Sequence, residues 1–196
     1  YVRNPLYEAQ FGNKDQSMAE IFSDNFSIEW RPFAGFIVRG KIGVSKNFNT
    51  HDVFKSPNSF EFRSTTLSER GSYDYTTGQS SSVDGDITLS YAKNFAETHQ
   101  LYFGLNISAA QSKQYSYNFI MRGFNERFDF LPNAVGYEAN GKPSGSESTS
   151  RRIGYTLNLN YTFKNRYYAD FSFRLDGSSQ FGSNKRFAPF WSGGIG

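Results

Sequence analysis

Cysteine is absent from the 196 residues, which excludes a disulfide framework and thiolate chemistry. Histidine occurs only at positions 51 and 99, in separate connections, which argues against a histidine-based metal site. No run approaches the roughly 18 consecutive apolar residues of a membrane-spanning helix. The 21 basic and 18 acidic residues are interspersed, so the clustered basic face typical of nucleic-acid binding is missing and no nucleic-acid partner is predicted.

Enzyme signatures are also missing. There is no G-x-S-x-G nucleophile elbow. The stretch "GSSQFGSNK" has two glycines at phosphate-loop spacing, but Ser183 and Asn184 stand where a phosphate loop needs Lys and Ser or Thr. We therefore predict that the chain is not an enzyme and carries no cofactor.

The chain is rich in aromatic residues, with 21 Phe and 13 Tyr, although its mean hydropathy is polar at -0.61. Aromatic side chains favour strands, because they suit a pleated, half-buried surface. Alternation with period 2 predicts a strand in each of six segments. These are 25–31, 36–45, 83–91, 101–109, 152–163 and 167–176, and a seventh strand is expected to begin near Phe187. The predicted fold class is all-β.

The predicted connections alternate between short and long. Short ones occupy 32–35, 92–100 and 164–166, long ones occupy 46–82 and 110–151, and 177–186 is intermediate. In an up-and-down antiparallel sheet this places every short turn at one end and every long loop at the other, as in transmembrane β-barrels. The long segments are polar and rich in turn residues, for example "SERGSYDYTTGQSSS" and "NGKPSGSESTS".

The two faces of the predicted strands differ in charge. In the four cleanest strands the apolar face carries no charged residue. The opposite face carries Asp84, Asp86, Arg152, Asp170, Arg174 and Asp176. The predicted length of about 9 to 12 residues exceeds the usual 5 to 6 and matches the roughly 9 to 11 that cross a bilayer. Lipid against the apolar face explains this pattern, and the alternative is the apolar core of a soluble β-sandwich.

Aromatic residues also gather near the predicted short turns. They are Trp30, Phe33, Phe36, Tyr91, Phe95, Tyr161, Phe163, Tyr167 and Tyr168. Rings of this kind suit the headgroup level of a membrane, where one edge is wet and the other buried. Packing beside a turn is the alternative explanation.

The segment "RYYADFSFRLDGSSQFGSNKRFAPFWSGGIG" closely resembles the barrel signature of SusC/RagA-type TonB-dependent transporters. In that signature a strand ends in an Arg-x-Asp-Gly-Ser-Ser-x-Phe-Gly loop. The matching residues are Arg174, Asp176, Gly177, Ser178, Ser179, Phe181 and Gly182. The stretches "GYTLNLNYTFKNRYYADFSFRLDGSS", "NPLY" and "FSIEWRPFAGFIVRGKIG" resemble further strands of such barrels, and Trp191 departs from the pattern.

This resemblance implies that residues 1–196 are one segment of a 22-stranded, antiparallel, up-and-down barrel in the outer membrane of a Gram-negative bacterium, of Bacteroidetes type. Six or seven strands come from this chain, and the plug domain and TonB box are expected to lie outside it. Family members import oligosaccharides or peptides with energy passed through TonB. Their partner is a SusD-like surface lipoprotein, and pairs of transporter and lid can form a homodimer.

Several residues are candidates for function. Asp84 and Asp86 share one face, so a cation site is conceivable, although such residues are more often solvated or paired. Arg174 and Asp176 either contact the plug or solute path, or form an ion-paired ladder on the wall. Six residues in the predicted outer loops are candidates for contact with substrate or lid, although ordinary loop packing is the more common role for any one of them: Tyr73, Tyr75, Tyr115, Tyr117, Arg122 and Phe124.

Two other functions remain open from the residues alone. One is a soluble carbohydrate-binding β-sandwich. The other is an outer-membrane barrel of different function, such as a porin or a barrel enzyme.

Overall fold

The computed structural model describes residues 5–125, 133–138, 141–182 and 186–196. The strands are β1 (Lys14–Phe33), β2 (Phe36–Lys55), β3 (Ser72–Phe95), β4 (His99–Arg122), β5 (Gly136–Tyr137), β6 (Ser144–Phe163), β7 (Tyr167–Ser178) and β8 (Phe187–Ile195). Helical structure is limited to α1 (Pro5–Glu8) and the 3₁₀ turns Ala9–Phe11, Phe60–Phe62 and Leu67–Glu69. Ser183 and Asn184, and Asn4 of "NPLY", lie outside the described residues.

All eight strands belong to one antiparallel sheet. Its order is β1-β2-β3-β4-β6-β7-β8, and the two-residue β5 pairs with β4. This confirms the predicted all-β, up-and-down fold, including the seventh long strand, which begins at Phe187. A β-sandwich needs two sheets packed face to face. Since the described residues form a single sheet, the sandwich alternative is not supported.

The pairing of β6 with β7 shows how the two faces are kept apart. Leu157 lies opposite Phe173, and its neighbour Asn158 lies opposite Ser172, with a hydrogen bond of 2.9 Å from Ser172 Oγ to Asn158 Oδ1. Because directly opposite residues share a face, apolar side chains meet apolar ones and polar meet polar along the pair.

The predicted strand ends and long loops were wrong. β3 begins at Ser72 and β4 runs to Arg122, so much of the expected loops 46–82 and 110–151 is strand. Apart from Tyr73 and Tyr75, the sequence "SYDYTTGQSSS" has polar or small residues on both faces and therefore lacks apolar alternation. Thr and Tyr nevertheless favour strands, and the neighbouring strands β2 and β4 satisfy its backbone.

Polar side chains link β3 to β4 in two similar clips. In the first, Asn106 Nδ2 donates to Thr88 Oγ1 at 2.8 Å and to Asp86 Oδ2 at 3.3 Å. In the second, Asn118 Nδ2 donates to Thr76 Oγ1 at 2.9 Å and to Asp74 Oδ1 at 2.6 Å. Each clip thus joins an Asp-x-Thr of β3 to an Asn of β4.

The described residues fall into two compact units. The first lies within Tyr1–Ile21, Asn47–Ser80 and Gln114–Ser148. Its core is a cluster of Phe54, Tyr73 and Phe124, each at most 6% exposed, with the rings of Phe54 and Phe124 edge to face at 5.5 Å. The core is therefore aromatic and small.

The second unit lies within Phe22–Lys46, Ser81–Lys113 and Thr149–Gly196. None of its described large hydrophobic side chains is buried. Instead many are 39 to 74% exposed on the apolar face: Phe26, Ile28, Trp30, Ile42, Val83, Ile87, Ile107, Phe171, Phe187 and Trp191. This face has no covering layer among the described residues. No described helix has the length and apolar character needed to span a membrane.

The aromatic core of the first unit generates a stability prediction. We expect Phe54→Ala to lower the free energy of unfolding by about 3–5 kcal/mol, because it removes the ring at the centre of the cluster and leaves a cavity. Urea titration measures this change. Leu67→Ala, at a side chain 81% exposed in the same unit, is the control and should change stability by less than about 0.5 kcal/mol. Equal effects of the two changes would contradict the assignment of the core.

Candidate functional site

The second unit has a cleft on its polar face. Its volume is about 430 Å³, and β3, β4, β6 and β7 line it together with the loop that follows β7. Its charged lining residues are Asp84, Asp86, Arg152, Arg174 and Asp176. Period-2 alternation explains their convergence, since each points to the same face of neighbouring strands. The structure thus brings together the predicted motif and the predicted cation candidates.

A glycine opens the floor of this cleft. Gly154 lies directly opposite Asp176, and a Cβ at Gly154 would be 3.0 Å from Ser108 Oγ and 3.3 Å from Asp176 Oδ1. Any side chain here would displace one of these polar groups. The glycine therefore preserves the space between them.

Arg174 and Asp176 form an ion pair along β7. Arg174 Nε lies 2.7 Å from Asp176 Oδ2 and 2.9 Å from Oδ1, and the Arg174 side chain is 61% exposed. This geometry favours the ladder interpretation over a free binding group. An exposed pair contributes little to stability, typically about 0–1 kcal/mol, so its main effect is to orient the guanidinium in the cleft.

The Asp86 carboxylate is hydrogen-bonded to other side chains rather than available to bind a cation. It accepts the hydrogen bonds of the first clip from Asn106 and Thr88. Among the described residues no group of three or more His, Cys, Asp or Glu side chains is arranged to hold a metal. The cation site at Asp84 and Asp86 therefore gains no support from the geometry.

The two serines of the motif shape the loop after β7. Ser178 Oγ accepts from the backbone N–H of Gln180 at 3.1 Å, and the Phe181 N–H donates to the Ser178 carbonyl at 3.3 Å. Ser179 makes a two-way contact with Arg151: its N–H donates to the Arg151 carbonyl, and its Oγ accepts from the Arg151 N–H, both at 2.9 Å. The two serine hydroxyl groups thus accept hydrogen bonds from backbone N–H groups at the point where the hydrogen bonds between β7 and its neighbouring strands end.

Gly177 lies under an aromatic ring. It is opposite Phe187 on β8 and Ile153 on β6. A Cβ at Gly177 would be only 2.6 Å from Phe187 Cε1 and 2.9 Å from Ile153 Cγ2. The Phe187 ring covers the glycine, and such covering of a glycine by an aromatic ring on the next strand helps to fix strand pairing. The space that the ring occupies explains why the motif has Gly after Asp176.

The predicted contact residues of the outer loops lie elsewhere than expected. Tyr73 and Tyr75 are on β3 and Tyr115, Tyr117 and Arg122 are on β4, because these strands extend beyond their predicted ends. Only Phe124 follows a strand. Contact with substrate or lid stays a prediction, but the environments of these residues differ.

Tyr73 and Phe124 are buried in the aromatic core, where they are not accessible to a ligand. Tyr75 stacks on Tyr73 with ring centroids 6.1 Å apart. Arg122 donates to Glu138 Oε1 at 2.8 Å. These four residues hold the first unit together in this structure.

Tyr115 and Tyr117 form a pair on β4, in which Tyr115 is half-buried and Tyr117 is exposed. Their ring centroids are 5.5 Å apart, Tyr115 donates to Gln79 Oε1 at 2.8 Å, and Tyr117 donates to Glu147 Oε1 at 2.5 Å. The hydrogen bond to the Glu147 carboxylate raises the pKa of the Tyr117 hydroxyl. Of the six candidates, Tyr117 is the most exposed.

Glu8 is a structural residue that the sequence did not reveal. It is buried in the first unit and accepts hydrogen bonds from the Ser59 hydroxyl and, at 2.8 Å, from the Phe60 backbone N–H. Nearby, the Ser56 N–H donates to Asn13 Oδ1 at 2.8 Å. The N-terminal segment is thus tied to the β2–β3 loop. In the sequence, Glu8 is a single acidic residue within "NPLYEAQF". A single Glu has no pattern from which this role could be predicted.

Solved structures with the same fold were found by comparison. The chain is similar to a structure of the RagAB peptide transporter, with a TM-score of 0.85 and 23% identity, over 97% of this chain and 21% of that one. The chain shares its fold with part of a transporter. The RagAB peptide importer matches in its open-open state, with a TM-score of 0.81, 22% identity and coverage of 97% and 20%. It also matches in its closed-closed state, with a TM-score of 0.81, 23% identity and coverage of 97% and 21%.

The chain spans about a fifth of the length of these transporter chains. No protein-family model and no curated protein sequence matches it. The comparison confirms the barrel fold that the resemblance at Arg174 to Gly182 predicted. The number of strands in the complete barrel stays a prediction.

The packing of Gly177 against Phe187 generates a prediction. We expect Gly177→Ala to lower the free energy of unfolding by about 1–3 kcal/mol, because the new methyl group overlaps the ring. In the background of Phe187→Ala the same change should cost much less. A double-mutant cycle measured by urea titration gives this coupling.

The control is the second glycine of the motif. A Cβ at Gly182 meets nothing within 4 Å, so Gly182→Ala should stay within about 0.5 kcal/mol of the wild type. If Gly177→Ala were as harmless as Gly182→Ala, or if Phe187→Ala gave no rescue, the covering of Gly177 by the ring would not be the reason for this glycine.

Proposed function

We propose that this chain is one section of the wall of a β-barrel in the outer membrane of a Gram-negative bacterium, and that the barrel imports nutrients. The observation that carries the membrane location is the uncovered apolar face of the second unit. In water so large an exposed apolar surface marks an interaction site. Lipid is the partner that requires a continuous charge-free face.

The height of this face supports a bilayer as the partner. Counted from the short turns, the apolar positions give way to polar ones at corresponding places on neighbouring strands. These places are Lys46 on β2, Ser81 on β3, Gln111 on β4, Arg151 on β6 and Ser179 directly after β7. The apolar stretch is about 10 to 12 residues long, which at a barrel tilt of about 40° covers roughly 27 Å, close to the apolar band of about 25 Å in outer-membrane barrels.

Aromatic side chains border the face at the short-turn end. Phe33 and Phe36 stack at 5.0 Å between ring centroids, Phe95 stacks on His99 at 4.9 Å, and His99 is 4.8 Å from Phe163. The rings thus meet across neighbouring turns, and Phe33 remains 58% exposed. An aromatic girdle at the membrane interface accounts for rings that pack on each other yet stay open to the surroundings.

Import is supported by the shared fold with the RagAB peptide transporter. We propose peptides as the first substrate class to test and oligosaccharides as the second. Energy would come through TonB, and a SusD-like surface lipoprotein would be the partner. In this arrangement the polar cleft at Arg174 and Asp176 faces the barrel interior and lines the path around the plug, and Tyr115 and Tyr117 lie on the part of β4 toward the outside of the cell.

The orientation of the two faces gives a prediction with a matched control. Leu159 lies on the apolar face of β6 opposite Phe171, and the next residue, Asn160, lies on the polar face. We expect Leu159→Arg to destabilise the full-length protein in lipid vesicles by about 2–4 kcal/mol, because it places a cation near the middle of the bilayer. Asn160→Arg adds the same charge on the other face and should be tolerated. Urea titration in vesicles measures both. A larger cost for Asn160→Arg would mean that the faces are reversed.

Uptake by whole cells tests the transport function. Cells with the full-length protein should accumulate labelled peptide, and an uncoupler that dissipates inner-membrane energy should abolish accumulation. Uptake that survives the uncoupler would indicate a porin. Hydrolysis of the peptide without accumulation would indicate a barrel enzyme. Co-purification of a surface lipoprotein with the protein tests the partner.

A further inference from the structure

The apolar face of the second unit contains a groove. Its volume is about 990 Å³, and its floor is formed by the small residues Gly40, Gly85 and Ala109. Larger side chains stand around the floor: Phe26, Ile42, Val83, Ile87, Ile107 and Ile153. The groove exists because neighbouring strands have small residues where the rest of this face has bulky ones.

The groove suits an elongated apolar ligand. Its volume is at the upper end of the roughly 300–1,000 Å³ of small-molecule sites. Its walls are hydrocarbon, and Phe26 and Ile87 are more than half exposed. A hydrocarbon chain that fills such a space is stabilised, because apolar surface of the chain and of the groove is removed from water or from looser packing.

Cationic side chains stand at the end of the groove away from the short turns. Arg151 lines the groove, and its Nε donates to Gln111 Oε1 at 2.8 Å, which orients the guanidinium. Lys113 is two residues beyond Gln111 on β4, so it lies on the same face, and it is exposed. Asp24 is an acidic residue at a similar level, but it lies on β1, four strands from β6 in the sheet order.

We propose that this groove and its cationic rim bind a lipid with a phosphate-bearing headgroup, with an acyl chain in the groove and the phosphate at Arg151 and Lys113. The inference rests on the proposed function, in which this face meets the bilayer. The order of features along the strands matches such a lipid, because the apolar groove ends where the cations begin. Guanidinium groups bind phosphate oxygens through two parallel hydrogen bonds, and basic residues at a membrane interface attract anionic headgroups.

Native mass spectrometry of the full-length protein tests the proposal. The protein is released from nanodiscs that contain equal amounts of phosphatidic acid and phosphatidylcholine with identical acyl chains, and the retained lipids are counted. We expect phosphatidic acid to be retained preferentially. Lys113→Gln and Arg151→Gln should each reduce this preference roughly fivefold, since a Lys or Arg near an anionic membrane surface contributes about 1 kcal/mol.

The control removes two positive charges elsewhere. Lys55→Gln with Lys142→Gln leaves both the rim and the groove lining intact and should keep the preference for phosphatidic acid. Gly85→Leu, which fills the floor of the groove, should reduce retention of both lipids, and urea titration of this variant shows whether it is folded. Inorganic phosphate at millimolar concentration should not displace the lipid.

Several outcomes would overturn the proposal. They are equal retention of the two lipids by the wild type, an equal loss in the charge control, displacement by inorganic phosphate, which would indicate a free-anion site, and a bound protein segment in place of lipid. These outcomes are distinct from failure of the proposed function. A protein that inserts and imports peptide but shows no lipid preference refutes only the lipid site, whereas a protein that never inserts refutes the membrane location.

Discussion

The strict separation of the two faces of a strand is the constraint on which the structure depends. Successive side chains of a strand point to opposite faces, and in 83–91, 101–109, 152–163 and 167–176 this chain keeps charged groups off one of them. Leu157 and Phe173 meet on that face, while Asn158 and Ser172 meet on the other. A shift of one residue in pairing would place Arg174 or Asp176 among the apolar side chains. Separation of the faces therefore excludes every alignment that is shifted by an odd number of residues.

The first unit is stabilised differently. Its strand segments have polar side chains on both faces, so burial of an apolar face contributes little there. Stability comes instead from the three-ring core around Phe54, from hydrogen bonds such as that between Asn118 and Asp74, and from the buried carboxylate of Glu8. The first unit therefore depends on specific aromatic and polar contacts more than on an apolar face.

Much of the second unit was predictable from the sequence, because its alternation is regular. The turn at 164–166 and the start of β8 at Phe187 agree with the prediction. The first unit was not predictable in the same way. Ser and Thr residues such as those of "SYDYTTGQSSS" are as common in loops as in doubly polar strands, and only the neighbouring strands decide between the two. For the same reason Tyr73 and Phe124 were candidates for ligand contact with packing as the alternative, and only their burial in the aromatic core favours packing.

The location of the motif could be predicted from the sequence, but the structural role of each of its residues could not. The residues from Arg174 to Gly182 stood out, yet the reason for Gly177 depends on Phe187, ten positions away on the next strand. The contact between Ser179 and Arg151 likewise joins β6 to the loop after β7. Contacts of this kind join residues that are far apart in the sequence, so they produce no periodic pattern in a single sequence.

The two clips between β3 and β4 have a consequence for assembly. A long hairpin can slide by two residues without exchanging its faces, so the apolar pattern alone does not choose among these alignments. Asn106 faces Thr88 and Asn118 faces Thr76, and sliding in one direction would bring these amides to Ser90 and to Gly78, which has no side chain. The hydrogen bonds on the polar side of the hairpin thus select among alignments that the apolar side accepts equally, because a shift in that direction would leave the Asn118 amide opposite a glycine.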